Sequence, residues 1–467
     1  MSAPLWTAAD AAAATGGQVL GDWSGVTGVS IDTREIAPGD LFVALTGDNR
    51  DGHQFVAQAL EAGAGAAMVS RKPEGIDGPM LLVDDALKAL EALGIAARAR
   101  TEAKVIAVTG SVGKTSTKEM LRSMLASQGK THAAVRSFNN HWGVPLTLAR
   151  MPADTKYAVI EIGMNQPGEI TPLSRMARPH VALITTVEAV HLAAFDSVEQ
   201  IADAKAEIFA GLEPEGKAVL PADNEHFERL AAAAGRPVLT FGAGQADAVL
   251  AHARVVGEQT ALKIQHDNAS TEFKMNAPGV HFALNATGAM LAAEAAGADW
   301  AQSAQGLTRW SPPKGRGSKV SITMPDGGIT LLDESYNANP ASMRAALAVL
   351  ATVTTTGRKQ AFLGDMLELG PTEKALHADL AKEPALRDID KIHCCGALMK
   401  AAHDALAPDK QGLWCPDSAQ LAADLPGHID PGDVCMVKGS LGARMALVVD
   451  AIKALGENRD APEGKDL

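Results

Sequence analysis

One stretch, residues 104–117 with the sequence KVIAVTGSVGKTST, constrains the fold of this chain more than any other. An apolar run at 105–108 leads into a glycine turn at 110–113, and then into a helical pattern that opens with Lys114 and Thr115. Glycines let the backbone curl so that its N–H groups point inward, and a helix N-terminus adds positive potential at the same place. This order of strand, glycine loop and helix predicts a phosphate-binding loop for a nucleoside triphosphate.

The candidate nucleotide ligands of this loop are Gly110, Ser111, Val112, Gly113, Lys114, Thr115 and Ser116. Lys114 can reach the β- and γ-phosphates, and the Thr115 hydroxyl can bind Mg²⁺. The usual loop carries a further glycine where this chain has Val108, so the loop is a shortened GxxGKT. A plain strand–helix turn is the alternative, but Lys-Thr directly after the glycine favours phosphate binding.

Bulk composition narrows the class of protein. A length of 467 residues suggests three domains at ~150 residues each, and a net charge of −13 argues against nucleic acid or an anionic membrane as partner.

The first apolar stretch is not typical of a signal peptide, because Asp10 interrupts it and no basic segment precedes it. No window of the sequence approaches the length and hydrophobicity of a membrane span, so we expect a cytoplasmic protein. Buried free thiols are expected for the four cysteines, Cys394, Cys395, Cys415 and Cys435, which form no CxxC pair.

The predicted fold class is α/β, in three domains. We expect a small α/β domain over 1–84, a central P-loop ATPase-like domain with a parallel sheet over 85–310, and a C-terminal Rossmann-like domain over 311–467. In the central region, helical patterns alternate with predicted strands at 105–108, 157–162, 181–186 and 217–220. A junction rich in proline and glycine, SPPKGRGS, precedes a second such series, with strands at 329–333, 360–364, 391–395 and 434–438.

Three side chains outside the loop are candidates for the same site. Glu161 ends the strand YAVIEIG, and ligands of parallel sheets sit beyond the carboxyl ends of the strands, so this carboxylate is placed to reach a Mg²⁺ held by Thr115. His191 follows the next strand and is either a structural histidine or a residue that faces the same pocket. Lys205 lies in the helical stretch VEQIADAKAEIF, where composition alone indicates a surface lysine.

Polar groups also cluster in the third region. The segment LLDESYNANPASM puts four of them between a strand end and a helix start: Asp333, Ser335, Tyr336 and Asn337. Asn339, directly before Pro340, is typical of a helix N-cap with proline at the first helical position, but capping does not account for the other four. Near the C-terminus, another strand is followed by a basic loop suited to a carboxylate or phosphate, with Lys438, Ser440 and Arg444.

From about residue 25 to residue 450 the chain resembles the Mur ligases, the ATP-dependent amide ligases that build the peptidoglycan stem peptide. The motifs that carry the resemblance are SIDTREIAPGDLFVALTGDNRDGHQF, TGSVGKTSTKE, FNNHWGVPLTLARMP, VIEIGM, HLAAFDSVEQIADAKAEIF, HFALNATGAMLAA, DESYNANPASM, GDMLELG and VKGS. The loop TGSVGKTS is shared by the whole family, whereas DESYNANPASM and GDMLELG favour the last ligase of the series. The resemblance implies that D-alanyl-D-alanine is added to a UDP-N-acetylmuramoyl-tripeptide through an acyl phosphate, while ATP is split to ADP and phosphate.

The resemblance also implies roles for individual residues. Lys114, His191 and Lys205 would be catalytic, Lys205 as a carbamate that binds a second Mg²⁺, and Glu161 and His191 match the family's metal-binding glutamate and histidine. Nucleotide contacts would come from Asn285, Arg316, Asp333, Tyr336 and Asn337. Substrate contacts would come from Thr33, Arg34 and His53 at the UDP-sugar end, from Asn139 and Asn140 at the muramyl-peptide, and from Ser335, Asn339, Lys438 and Ser440. The implied partners are small molecules only, with neither nucleic acid nor membrane insertion, and the implied state is a monomer.

Two departures from the family pattern stand out. Relatives usually carry asparagine near Thr186, and many have arginine at the place of Leu441, where Arg444 is the candidate substitute. The third residue of the acceptor peptide stays open between diaminopimelate and lysine.

Three other classes of protein with a phosphate-binding loop fit this sequence less well. Another stem-peptide ligase or a folylpolyglutamate synthase is disfavoured by the first-region motifs and DESYNANP. A regulatory GTPase would need an NKxD motif, and the chain has no Asn-Lys dipeptide. A non-catalytic nucleotide-binding module would not account for the candidate site residues Glu161, His191 and Lys205.

Overall fold

Three large sheets of five, nine and six strands follow one another along the chain. The computed structural model describes residues 3–47, 50–190, 192–257, 259–324 and 327–457. Each sheet is mostly parallel and has apolar clusters against it, so the predicted α/β class is confirmed. No helix of the described ranges is both long and apolar enough to cross a membrane.

The first region builds the five-stranded sheet. Its elements are β1 (Trp6–Thr7), α1 (Ala8–Thr15), β2 (Gln18–Leu20), β3 (Gly25–Val26), β4 (Gly28–Ser30), β5 (Asp40–Val43), α2 (Val56–Glu61), β6 (Ala66–Val69), β7 (Met80–Leu82) and α3 (Ala86–Ala99). The strand order is β2-β7-β6-β5-β4, with only β2 antiparallel to its neighbour, and β1 pairs with β3 separately. Single 3₁₀ turns cover Thr33–Glu35 and Gly52–Phe55.

The middle region builds the nine-stranded sheet. Its elements are β8 (Lys104–Thr109), α4 (Lys114–Ala126), β9 (Thr131–Ala133), α5 (Gly143–Ala149), β10 (Tyr157–Glu161), α6 (Ile170–Ala177), β11 (Val181–Ile184), α7 (Val198–Ala206), β12 (Lys217–Pro221), α8 (Phe227–Ala234), β13 (Val238–Gly242), β14 (Ala248–Val256), β15 (Gln259–His266), β16 (Ala269–Met275), α9 (Val280–Ala295) and α10 (Trp300–Thr308), with a 3₁₀ turn at Glu207–Gly211. The order is β16-β15-β14-β13-β12-β11-β8-β10-β9, parallel except for the β14–β15–β16 meander.

The central strand β8 shows why this sheet is buried on both faces. Ile106 and Val108 pack into one apolar cluster with α4 and α9, while Val105 and Ala107 pack into another with α5 and α6. All four are fully buried. Successive side chains of a strand point to opposite faces, so a continuous apolar run is what a strand between two helical layers requires.

The third region builds the six-stranded sheet. Its elements are β17 (Ser318–Met324), β18 (Gly327–Glu334), α11 (Pro340–Thr352), β19 (Lys359–Gly364), α12 (Glu373–Asp379), β20 (Lys391–Cys395), α13 (Met399–Ala405), β21 (Gln411–Cys415), α14 (Ser418–Asp424), β22 (Val434–Lys438) and α15 (Ala446–Glu457), with 3₁₀ turns at Gly370–Thr372, Leu380–Lys382, Pro384–Asp388 and Leu441–Ala443. The order is β17-β18-β22-β19-β20-β21, and only β17 is antiparallel to its neighbour.

The strands predicted for the middle and third regions are confirmed to within two residues at each end. The hairpin-like sequence pattern over 248–275 is confirmed as the β14–β15–β16 meander, and four other strands of these two regions were missed: β9, β13, β17 and β21. Three of these are edge strands, whose half-exposed sequences lack the continuous apolar run of a buried strand. The four cysteines are buried and free, as predicted, and burial raises the pKa of the Cys415 thiol to about 11.

Candidate active site

The phosphate loop lies at the carboxyl end of β8, with β10 and β11 on either side of it. Gly110 has φ 145° and Gly113 has φ 85°, conformations that side chains other than glycine rarely adopt. A Cβ on Gly110 would lie 1.9 Å from Thr185 Oγ1, so this position also admits no side chain for lack of space. Gly113 is the N-cap of α4, so the first N–H groups of that helix are directed at the loop.

The segment after β11 fixes the shape of the loop. Thr185 Oγ1 donates to Val112 O at 2.6 Å, and Ser111 Oγ donates to Glu188 O at 3.0 Å. In return, Glu188 N donates to Ser111 Oγ at 2.9 Å. The loop is therefore held from outside by its neighbouring strand, which preorganises its backbone for a phosphate group.

Glu161 lies at the end of β10, where the sequence placed it, and is the centre of a polar cluster. Its Oε1 accepts hydrogen bonds from Thr115 Oγ1 at 2.9 Å, Ser137 Oγ at 2.8 Å and Asn139 Nδ2 at 2.7 Å. Its Oε2 is buried and has no hydrogen-bond partner among the described residues. A buried carboxylate oxygen without a partner is costly unless a cation or donor binds there.

Two lysines of this site, Lys114 and Lys205, are close enough for the charge of one to affect the other. Lys114 Nζ donates to Gly110 O at 2.7 Å, and burial lowers the pKa of Lys114 to about 8, with the Glu161 carboxylate opposing that shift. Lys205 on α7 is only 2% exposed, so the expectation of a surface lysine from composition was wrong. Burial, and then the charge of Lys114, lower the pKa of Lys205 well below its usual range. A lysine in this setting tends toward the neutral amine.

Another metal-site candidate, His191, lies outside the described residues. In the part of the chain that the structure describes, no three side chains of the His, Cys, Asp or Glu type are grouped to hold a metal ion. The protein oxygens that converge near the phosphate loop include the Thr115 and Ser137 hydroxyls and the Glu161 carboxylate. Mg²⁺ is commonly bound by one or two such oxygens together with phosphate oxygens and water.

The predicted nucleotide residues fall into two places. Asn285 on α9 lies against the phosphate loop, because a Cβ on Gly113 would meet its Nδ2 at 2.8 Å. The charge of Arg316 lowers the pKa of Lys114, which places Arg316 on the same side of the site. Its guanidinium lies 4.2 Å from the ring centroid of Tyr336, a cation–π contact, and the tyrosine is 37% exposed.

The other third-region residues support these two side chains. Asp333 is 1% exposed; its Oδ1 accepts from Ser335 Oγ at 2.6 Å and its Oδ2 accepts from Gly315 N at 3.2 Å. The strand end is thereby tied to the turn that carries Arg316. Asn339 caps α11 as predicted, because Ser342 N donates to its Oδ1 at 2.8 Å, with Pro340 at the first helical position.

A buried lysine joins the end of β22 to the same segment. Lys438 Nζ donates to Asn337 O at 3.0 Å and lies 3.4 Å from Glu334 Oε2. Burial lowers the pKa of Lys438, and Glu334 only partly offsets this. Ser440 Oγ donates to Ala338 O at 3.3 Å. At the departure in KGSLGAR, Leu441 is exposed and Arg444 has φ 54°.

The predicted UDP-sugar residues lie apart from the phosphate loop, in the first region. Arg34 is paired with Asp32 at 2.5 Å, and Thr33 Oγ1 lies 3.5 Å from Gln58 Oε1. His53 is buried: its Nδ1 lies 2.6 Å from Asp51 Oδ1, and its Nε2 accepts from Ser70 N at 3.0 Å. Both ring nitrogens of His53 are thus engaged by the protein.

The two asparagines of FNNHW differ in their surroundings. Asn139 joins the Glu161 cluster, whereas Asn140 Oδ1 accepts from Trp142 N and Gly143 N at the start of α5. Sequence reasoning missed Ser137, which lies two residues before Asn139, and Thr185, which follows β11. Ser137 comes after β9, a strand that the sequence did not reveal, and Thr185 lies inside the predicted strand 181–186, whose observed end is Ile184. A correctly placed end of β11 would have let the strand-end rule that found Glu161 find Thr185 as well.

A glycine loop at the end of an interior parallel strand, two lysines with lowered pKa values and a carboxylate with a free oxygen define an ATP-handling P-loop enzyme. The sequence matches the Mur ligase family catalytic domain over residues 25–125, the Mur ligase middle domain over 108–293 and the Mur ligase glutamate ligase domain over 316–441. The chain belongs to the Mur ligase family. It is therefore an ATP-dependent ligase that forms a peptide bond.

Similar proteins share almost the whole chain. The UDP-N-acetylmuramoyl-tripeptide–D-alanyl-D-alanine ligase of Escherichia coli (strain K12) is 36% identical over 433 residues, which span 92% of this chain and 94% of that enzyme. MurF from Acinetobacter baumannii has a TM-score of 0.83 at 31% identity, and the match covers 96% of this chain and 99% of that one. MurF ligase from Thermotoga maritima, solved in complex with ADP, has a TM-score of 0.77 at 26% identity, with coverages of 92% and 98%.

Proposed function

We propose that this chain joins D-alanyl-D-alanine to UDP-N-acetylmuramoyl-tripeptide, with ATP cleaved to ADP and phosphate, and so forms the UDP-linked pentapeptide of peptidoglycan synthesis. The observation that carries the proposal is the 36% identity with the Escherichia coli enzyme of that name over 92% of the chain. We further propose that the chain acts in the cytoplasm as a monomer.

The three regions would divide the work. A substrate domain over 1–84 would hold the UDP-sugar end through Thr33, Arg34 and His53. A central domain over 85–310 would carry ATP, and a domain over 311–467 would close on the nucleoside and on D-alanyl-D-alanine. Closure of domains over bound substrates keeps water from a reactive intermediate.

The chemical task is to activate a carboxylate, whose negative charge repels nucleophiles. Transfer of the γ-phosphoryl group to the peptide carboxylate gives an acyl phosphate, and the amine of D-alanyl-D-alanine attacks its carbonyl carbon and displaces phosphate. Negative charge develops on the transferring phosphoryl oxygens, and Lys114 with the N–H groups of residues 110–116 is positioned to stabilise it. Ser111 and Thr185 hold those N–H groups in place.

A Mg²⁺ ion fits the Thr115–Glu161 pair. The Oε2 atom of Glu161 is buried without a donor, which suits a cation ligand, and the Thr115 hydroxyl lies 2.9 Å from the other oxygen of the same carboxylate. When bound, Mg²⁺ neutralises charge on the phosphate oxygens and orients the γ-phosphoryl group. His191 is proposed as a further ligand.

Lys205 is proposed to be carbamylated. Carbamylation requires the neutral amine, whose nitrogen attacks CO₂, forms an N–C bond and releases one proton to water. Burial and the neighbouring Lys114 favour that neutral form. The product is an anion beside the Lys114 ammonium, a ligand suited to a second Mg²⁺.

The nucleoside and the dipeptide are assigned to the third region and α9. We assign Asn285, Arg316, Asp333, Tyr336 and Asn337 to the nucleotide, Tyr336 by its exposed ring and Asp333 by anchoring the Arg316 turn. Asn139 and Asn140 are assigned to the muramyl-peptide. Ser335, Asn339, Lys438 and Ser440 are assigned to the remaining substrate contacts, where the donors of Lys438 and Ser440 meet the same segment.

One experiment tests the function. The purified chain is given ATP, Mg²⁺, D-alanyl-D-alanine and UDP-N-acetylmuramoyl-tripeptide containing either diaminopimelate or lysine, and phosphate release and product mass are measured. The proposal requires pentapeptide formation and phosphate release that depends on both the tripeptide and the dipeptide. Phosphate release independent of the dipeptide, or a product only when glutamate is supplied in place of the dipeptide in a parallel reaction, would instead assign another ligase activity.

A further inference from the structure

Lys118, on the helix that follows the phosphate loop, is the most completely buried charged side chain outside the proposed chemistry. Its side chain is 0% exposed. Its Nζ donates to Ala134 O at 2.6 Å and Arg136 O at 3.2 Å, and lies 2.7 Å from Glu119 Oε1. An ammonium group has three donors, and here each has an acceptor.

The two backbone carbonyls belong to the 134–142 loop, which connects β9 to α5. This loop carries Ser137 and Asn139, the two side chains that join Thr115 on Glu161 Oε1. It also carries Arg136, whose guanidinium is paired with Glu35 in the first region. Glu35 ends the turn that contains Thr33 and Arg34. The loop thus touches both the proposed metal site and the region proposed to hold the UDP-sugar.

Helix geometry explains why Lys118 can hold this loop. Residues three apart lie on the same side of a helix, so Thr115 and Lys118 project toward the same neighbour from consecutive turns of α4. Thr115 reaches Glu161, and Lys118 reaches the loop backbone just before Ser137. Val135, between the two bonded carbonyls, is 85% exposed, so its side chain adds little apolar packing to hold the loop. Ala134 is buried, and the Lys118 contacts fix the loop backbone on both sides of Val135.

We propose that Lys118 is a positioning residue, which clamps the 134–142 loop to the phosphate-loop helix and thereby sets the binding of the UDP-muramyl substrate. The inference rests on the proposed function for the identity of that substrate. Lys118 touches no substrate itself; it acts through the backbone of Ala134 and Arg136. Its loss leaves the glycine loop and its external hydrogen bonds intact, because those bonds come from Thr185 and Glu188.

The test compares three variants. Lys118→Met keeps the apolar stem and removes the donors; Lys118→Arg keeps a charged donor for the same carbonyls. Arg122→Met, which also removes a partner of Glu119 on the same helix but touches no loop atom, is the matched control. We expect Lys118→Met to raise KM for UDP-N-acetylmuramoyl-tripeptide at least about tenfold and to change KM for ATP less than about twofold, as loss of charged hydrogen bonds predicts. Lys118→Arg should restore most of the loss, and Arg122→Met should leave both constants unchanged.

Hydrogen exchange gives a readout that does not need the substrate. Amides of residues 134–142 should exchange faster in Lys118→Met, whereas those of β8 and β10 should not. Unchanged KM together with unchanged exchange in the loop would overturn the inference, as would an equal effect of Arg122→Met. If Lys118→Met does not accumulate as a folded protein, Lys118→Gln, which keeps two amide donors, is expected to show intermediate shifts in both readouts, and wild-type behaviour would overturn the inference.

A wrong proposed function would give a different result from a wrong role of Lys118. In that case the wild-type chain makes no pentapeptide from either tripeptide, while the exchange experiment still decides whether Lys118 holds the loop.

Discussion

Thr115 Oγ1 and Glu161 Oε1 are joined by a 2.9 Å hydrogen bond that ties the first turn of the phosphate-loop helix to the end of the adjacent strand. Ser137 and Asn139 bind the same carboxylate oxygen. With three donors on Oε1, the carboxylate cannot rotate freely, and its Oε2 is held in a buried position beside the loop. The residues around Glu161 thus orient one oxygen for a cation.

Removal of the Glu161 charge tests this arrangement. Glu161→Gln keeps the shape and is expected to fold normally, but to lower kcat/KM by about 10²–10³-fold, because an amide is a poor ligand for Mg²⁺. The Mg²⁺ concentration for half-maximal rate should rise as well. The measurement is a Mg²⁺ titration of phosphate release. Glu169→Gln, at an exposed carboxylate of the same region, is the control; wild-type Mg²⁺ dependence in Glu161→Gln would remove the carboxylate from the metal site.

Carbamylation of Lys205 can be checked without turnover. Protein equilibrated with ¹³C-bicarbonate should show one carbamate resonance that Lys205→Ala lacks, because the buried amine is held near neutrality. Lys205→Ala is expected to be inactive and partly rescued by a short carboxylic acid that replaces the anion. A fully active Lys205→Ala, or a wild-type enzyme indifferent to removal of bicarbonate, would contradict the assignment.

The pKa of Lys114, about 8, predicts the alkaline side of the pH profile. The lysine is charged below that pH and loses its proton above it, so kcat/KM for ATP is expected to fall as pH rises through about 8. This constant is measured at saturating dipeptide, since the attacking amine needs the opposite protonation. Lys114→Arg, whose guanidinium stays charged, should lose activity yet lack the alkaline fall; an unchanged fall in Lys114→Arg would assign it to another group.

Gly113 and Gly427 have similar φ angles, so alanine at these two positions can distinguish the effect of backbone strain from the effect of a clash with Asn285. Gly113 has φ 85° and Gly427 has φ 91°, but only at Gly113 would a Cβ meet a neighbour, Asn285 Nδ2 at 2.8 Å. Alanine at either position should lower the free energy of unfolding by about 1–2 kcal/mol, the cost of the left-handed conformation. Only Gly113→Ala should also raise KM for ATP, because it displaces the Asn285 amide. Denaturant unfolding and ATP titration measure the two effects, and an equal KM in both variants would argue against Asn285 as a nucleotide contact.

Much of the site could be predicted because local sequence carries it. A β-branched run followed by glycines and Lys-Thr encodes the loop, and Asn339 before Pro340 encodes the cap of α11. Glu161 was found because a strand's end is visible in the sequence. Composition did not single out Lys205, which only the resemblance marked, since its helix has charged and apolar residues all round and only packing shows which face is buried. Edge strands such as β9 and β21 were missed for a related reason. Their partly exposed positions carry polar residues, so their sequences lack the continuous apolar run that marks a buried strand.

The sequence by itself determined the α/β class, the phosphate loop and the membership of the Mur ligase family, because these depend on short, local patterns and on motifs spread through the chain. The tertiary structure decided which distant residues share the site. Ser137 contacts Glu161, Thr185 contacts the phosphate loop and Lys118 contacts the 134–142 loop. These contacts form only because β8 lies between β10 and β11 and α4 packs across that junction. The burial that makes Lys114 and Lys205 chemically unusual is likewise a property of packing, since desolvation depends on neighbours that the chain brings in from far along its length.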